Sequence, residues 1–201
     1  MGRIIAVKIK AVIFDCFGVL LGNTLQQWTA RLSEEDAQNF LSLTYAADKG
    51  IVSEEEATVE RAKLLGISPQ QLLDGFAAGE VLNTELVSYI RELKKTYKVG
   101  LLSNINSRER IEVRLPDGLL DELFDEIVIS GDLGVIKPDA AIYQYAAAKL
   151  DVAPEGCVMI DDVERFCEGA RTVGMQAVQF KTTQQALADL NTILDETTVT
   201  V

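Results

Sequence analysis

The chain contains no histidine. That absence excludes His-based triads and His-ligated metal centres, since both depend on imidazole. Cysteine is scarce as well: Cys16, Cys157 and Cys167 show no CxxC spacing and leave an odd thiol. Neither a disulfide framework nor a zinc site is expected, and a reducing cytoplasm fits best. No stretch approaches the roughly 20 uninterrupted apolar residues of a membrane span, and the N-terminal run Ala11 to Leu21 is broken by Asp15. The opening Met1-Gly2-Arg3-Ile4-Ile5-Ala6 lacks the Ser or Thr of a myristoylation signal. Positive charge is in deficit too. Against 31 acidic residues stand 19 basic ones, a net charge of −12 that argues against nucleic-acid and anionic-membrane partners.

What is present suits one globular core with a small insertion. The 201 residues are 48% apolar and 25% charged, ordinary values for a folded domain. Five short apolar runs bounded by turn residues, 11–14, 99–102, 127–129, 157–160 and 176–180, read as buried parallel strands. Helical patterns between them imply βαβ crossovers and a three-layer α/β/α, Rossmann-like core. The alternation fails between the first two strands, where only helix signals occur. There Ser33, Ser53 and Ser68 each open a helix, the last two in capping-box form. The expected organisation is a core from residues 1–19 and 83–201 carrying a helical cap at 20–82.

Four of these segments end on polar residues suited to one chemistry. Asp15 follows Ala11-Val12-Ile13-Phe14, and Gly18 permits the sharp turn that would expose its carboxylate. Such a carboxylate can attack phosphorus covalently, although alone it equally suits a turn cap. Ser103 and Asn104 end the second run and can hold phosphate oxygens or cap a helix. Lys137, in Gly134-Val135-Ile136-Lys137-Pro138-Asp139, precedes a helix start that fixes its origin and can neutralise transition-state charge. Asp161 and Asp162 place adjacent like charges at a strand end, which calls for a cation such as Mg²⁺. Cys16 reads as a buried thiol, and Trp28, Phe40 and Tyr45 as apolar core of the cap.

In order and spacing, Asp15-Cys16-Phe17-Gly18-Val19, Leu102-Ser103-Asn104, Ser130 to Asp139 and Asp161-Asp162 resemble the haloacid dehalogenase-like hydrolase superfamily. The resemblance runs from Ile9 to about residue 180 and is to the branch with a small helical cap. It implies a Mg²⁺-dependent phosphatase of a small phosphorylated substrate, working as a monomer or homodimer through an aspartyl-phosphate. It also implies a catalytic role for Asp15 and Lys137. The metal ligands carried over are Asp15, the backbone carbonyl of Phe17 and Asp162, with Asp161 acting through water or by holding Lys137. One position departs: most phosphatases of the family carry a second Asp where Phe17 stands, and that Asp protonates the leaving oxygen. Phe166 also stands where relatives often have a loop-supporting Asn. The 2-haloacid dehalogenases carry a Tyr at the first of these positions, so dehalogenation and a binding-only protein are the alternative readings.

Overall fold

Aliphatic and β-branched residues flanked by turn residues suit a pleat buried on both faces, and the five apolar runs form one. In the computed structural model, which describes residues 8–196, they are β1 (Ala11–Phe14), β2 (Lys98–Ser103), β3 (Glu126–Ile129), β4 (Cys157–Asp161) and β5 (Gln176–Gln179). The Met1 to Ala6 stretch discussed above lies outside the described residues. Every pairing is parallel, in the order β3-β2-β1-β4-β5. In register, Phe14 sits between Leu101 and Ile160, so three strand ends lie side by side.

Helices α1 (Leu25–Thr29), α2 (Glu34–Asp48), α3 (Glu54–Leu65) and α4 (Pro69–Gly79) all lie between β1 and β2, followed by α5 (Thr84–Leu93). Beyond β2 come α6 (Glu109–Glu112), α7 (Leu119–Leu123), α8 (Ser130–Leu133), α9 (Ala140–Lys149), α10 (Glu164–Thr172) and α11 (Thr183–Glu196). Alternation along the strands makes two cores. Val12, Phe14, Leu101, Val158 and Ile160 pack with α5, α7 and α11 on one face. Ala11, Ile13, Leu102 and Met159 pack with α9 on the other. Each fully buried aliphatic side chain here, Ile13 or Ile90 for example, contributes about 1.5–3 kcal/mol.

The first four helices enclose a small core of their own, with Phe40, Ala62, Leu72 and Phe76 buried together and Trp28 against them. Ser33, Ser53 and Ser68 cap α2, α3 and α4, the last two through reciprocal capping boxes. The chain enters and leaves this unit along paired strands of backbone: Gly22 N–H donates to the Val81 carbonyl at 3.0 Å and Asn83 N–H to that of Leu20 at 2.9 Å. Among the described residues, no helix is long and apolar enough to cross a membrane.

Candidate active site

In an open parallel sheet the crevice outside the strand carboxyl ends collects residues distant in sequence. Asp15 follows β1 and extends it, its N–H donating to the Ile160 carbonyl at 2.9 Å. Ser103 closes β2, Asp161 closes β4, and Asp162 follows at once. Lys137 reaches this edge from the β3 side and is fully buried, its Nζ 2.8 Å from Asp15 Oδ1 and 2.6 Å from Asp161 Oδ2. Asn104 braces that lysine. Its amide donates to the Lys137 carbonyl at 3.1 Å and accepts from the Lys137 N–H at 2.8 Å. The ring of Phe166 lies 5.1 Å from the ammonium, an apolar floor beneath the charge. Gly18, at φ +102°, is required twice over, because a Cβ there would also fall 2.2 Å from Asp162 Oδ2.

Asp15, Asp161 and Asp162 offer oxygens that lie within 4.8 Å of one another. The Lys137 ammonium pairs with the first two of these three carboxyls and not with Asp162. Burial, with Asp161 and Asp162 alongside, pushes the Asp15 carboxyl up to about 8 against the pull of Lys137. Burial and the Asp161 charge also raise Asp162. Burial works against the Lys137 ammonium, but Asp15 and Asp161 outweigh it and hold its pKa above the ordinary value. Asp162 Oδ2 accepts from the Asn23 amide at 3.3 Å, while Oδ1 is buried with no hydrogen-bond partner. Buried polar atoms are nearly always satisfied, so an orphaned carboxylate oxygen in a surplus of negative charge fits a hard divalent cation. Asp161 is better placed as a brace: one oxygen holds Lys137 and the other accepts from the Val163 N–H at 2.9 Å.

The opposite wall of the same cavity is built by the inserted helices and contains residues that sequence reasoning missed. Thr44, Tyr45, Asp48, Arg61, Phe76 and Glu80 line it. Tyr45, expected among the cap's core aromatics, lines the cavity instead; Phe40 is in that core and Trp28 packs against it. Arg61 is buried between Phe40 and Phe76 and pairs with Glu54. From the core side, Arg110 on α6 contacts Glu54 and Glu80, each at 3.2 Å, and stacks 5.0 Å over the Phe17 ring. Arg114 adds a 2.7 Å contact to Glu80. Nothing in Ser107-Arg108-Glu109-Arg110 separates this arginine from a solvated charge run, so only the fold reveals its place.

A family model for haloacid dehalogenase-like hydrolases matches residues 9–174. The chain is similar to a drimenol cyclase of Aspergillus calidoustus, 28% identical over 200 residues that cover 92% of this chain and 36% of that protein. It thus spans about a third of that relative's length. It is also 27% identical over 192 residues to a phosphatase of Mycobacterium tuberculosis, covering 85% of this chain and 86% of the relative. An enzyme of the HAD family from Bacteroides thetaiotaomicron, solved with magnesium and inorganic phosphate, superposes with a TM-score of 0.68 at 20% identity, over 87% of this chain and 96% of that one.

Proposed function

The chain belongs to the haloacid dehalogenase-like hydrolase family, and on that premise we propose a Mg²⁺-dependent phosphatase of a small phosphorylated metabolite, with Asp15 as nucleophile. The observation that carries this reading is the cluster of Asp15, Asp161 and Asp162, with the Lys137 ammonium paired to the first two. Displacement of halide from carbon has no use for so concentrated a cation site, whereas phosphoryl transfer does.

Asp15 attacks phosphorus, and the aspartyl-phosphate is then hydrolysed, so one difficult displacement becomes two easier ones. Lys137, at 2.8 Å from the nucleophile, offsets the charge that gathers as phosphate approaches a carboxylate. Ser103 supplies a hydroxyl at the β2 end, and Asn104 keeps Lys137 aimed through its two bonds to that residue's backbone. Asp15, Asp162 and the Phe17 carbonyl would hold Mg²⁺, which would supply Lewis-acid neutralisation of the phosphoryl charge. The inserted helices act as a cap that excludes water and chooses the substrate through residues such as Tyr45 and Phe76.

A panel of phosphorylated metabolites and 2-haloacids, assayed with and without Mg²⁺, tests the reading. Phosphate release that needs Mg²⁺ and vanishes in Asp15→Asn is expected, since the amide is nearly isosteric but not nucleophilic. Halide release without Mg²⁺ would replace it with dehalogenation. Phosphate and Mg²⁺ binding without any turnover would replace it with a binding-only protein.

A further inference from the structure

Phe17 leaves the proposed reaction without the carboxyl that would protonate the leaving oxygen. A donor must therefore come from elsewhere on the cavity wall, and the carboxyls that line the cavity or stand beside it can be sorted by what already holds them. Asp15 and Asp161 are on Lys137. Asp162 accepts from Asn23 and belongs to the cation cluster. Glu54 is held by Arg61 and Arg110, and the lining Glu80 by Arg110 and Arg114. Asp48 is the carboxyl that remains. It lines the cavity, and among the described residues its side chain takes part in no hydrogen bond or ion pair.

Its backbone is nevertheless fixed to the core. The hydroxyl of fully buried Ser130 lies 3.0 Å from the Asp48 carbonyl and 2.9 Å from that of Ile105. Ser130 opens the segment that delivers Lys137, so the last residue of α2 is pinned beside the strand ends and not left on a free helix terminus. Arg110 links the same carboxyl to the missing acid. Its guanidinium stacks on the Phe17 ring, and its charge is the largest acting on Asp48.

We infer that Asp48, supplied by the inserted helices, is the general acid and base of the reaction that Phe17 does not serve. The inference rests on the phosphatase reading. In the first step Asp15 forms a bond to phosphorus as the bond from phosphorus to the leaving oxygen breaks, and the protonated Asp48 carboxyl gives that oxygen its proton. In the second, the Asp48 carboxylate takes a proton from water as the water oxygen bonds to phosphorus. The bond between Asp15 and phosphorus breaks, inorganic phosphate departs, and both carboxyl groups return to their starting states. Burial pushes Asp48 up to about 7, with Arg110, Arg61 and Lys137 pulling down and Glu54 pushing up. A group poised there can give and take a proton at neutral pH. Because it sits on the insertion, the acid is in place only when that unit is seated on the core.

The test compares wild type with Asp48→Asn on p-nitrophenyl phosphate and on glycerol phosphate, with Mg²⁺ and across pH. Wild type should hydrolyse both. The variant should lose about 10²–10⁴-fold on the alkyl ester, whose leaving oxygen needs a proton. On the aryl ester it should show a burst of nitrophenol followed by slow turnover, because attack persists while hydrolysis of the aspartyl-phosphate stalls. Circular dichroism and a thermal melt establish that the variant is folded. A separate carbon-13 titration of aspartate carboxyls in Asp15→Asn should show a signal near pH 7 that Asp48→Asn removes. A folded Asp48→Asn with wild-type rates and pH profile overturns the assignment while leaving the phosphatase reading intact, as does titration of Asp48 in the ordinary carboxylate range. Activity that survives Asp15→Asn, or a wild type inert on both esters, overturns the phosphatase reading and this inference with it.

Discussion

The two walls of the cavity are built by different rules. On the core wall, Asp15, Ser103, Asp161 and Asp162 stand at or just past strand ends locked in register, and Lys137 is held by Asn104 on both sides of its backbone. On the insertion wall, Tyr45, Asp48, Arg61 and Glu80 come from short helices and their linkers, fastened to the core by Arg110, Arg114 and the Ser130 hydroxyl. The first wall is an integral part of the sheet, and the second is docked onto it. On the proposed reading, reactivity that must be placed to a fraction of an ångström falls to the side built into the sheet, and substrate fit and proton supply to the inserted side.

The largest effect that separates the walls concerns the cation. Mg²⁺ binding to the folded state alone raises apparent stability by mass action, by about 2.7 kcal/mol at a hundredfold excess over Kd. A thermal melt of wild type should therefore shift upward by several degrees in millimolar Mg²⁺, and that of Asp162→Ala should shift much less. An equal shift in both proteins would place the cation off the core wall.

A smaller effect concerns Asp48. Its carboxyl is raised from the ordinary 3.8 of an aspartate to about 7 in the folded protein. Between those values the folded state binds more protons than the unfolded one, so stability is lost as pH rises through that window. Asp48→Asn has no proton to lose. It should match wild type near pH 4 and be the more stable of the two above pH 7, with the higher Tm. Paired melts at pH 4 and pH 8 check this, and a variant destabilised at pH 8 would mean that the charged carboxylate is well accommodated. Gain of stability with loss of turnover is the pattern expected where a site holds a group at a cost to the fold.

The same division explains what could be read from the sequence. The core wall was legible because short apolar runs define strands, strands in an open parallel sheet converge at one edge, and polar residues at their ends stand out against Val, Ile and Leu. Asp15, Ser103 and the Asp161-Asp162 pair were visible on those grounds. The helices of the insertion were legible through their capping serines, yet their contribution to the cavity was not. Asp48 closes an ordinary amphipathic helix, and Arg110 sits in a mixed-charge run. A helix pattern says which residues are buried together, as for Phe40, Ala62 and Phe76, but not which turn faces a neighbouring unit. Asn104 shows a subtler gap. Beside the phosphate-holding role expected of it, its side chain is engaged with the backbone of Lys137, a pairing across 33 positions that no local motif announces.

The central claim, that the core wall performs phosphoryl transfer through Asp15, is tested most directly by trapping the intermediate. Wild type mixed with a phosphorylated substrate and Mg²⁺, quenched in acid within the first turnover and digested for mass spectrometry, should carry phosphate on the peptide containing Asp15. Asp48→Asn should accumulate more of it. Turnover with no phosphate on that peptide in either protein, or phosphate on a different residue, would contradict the account.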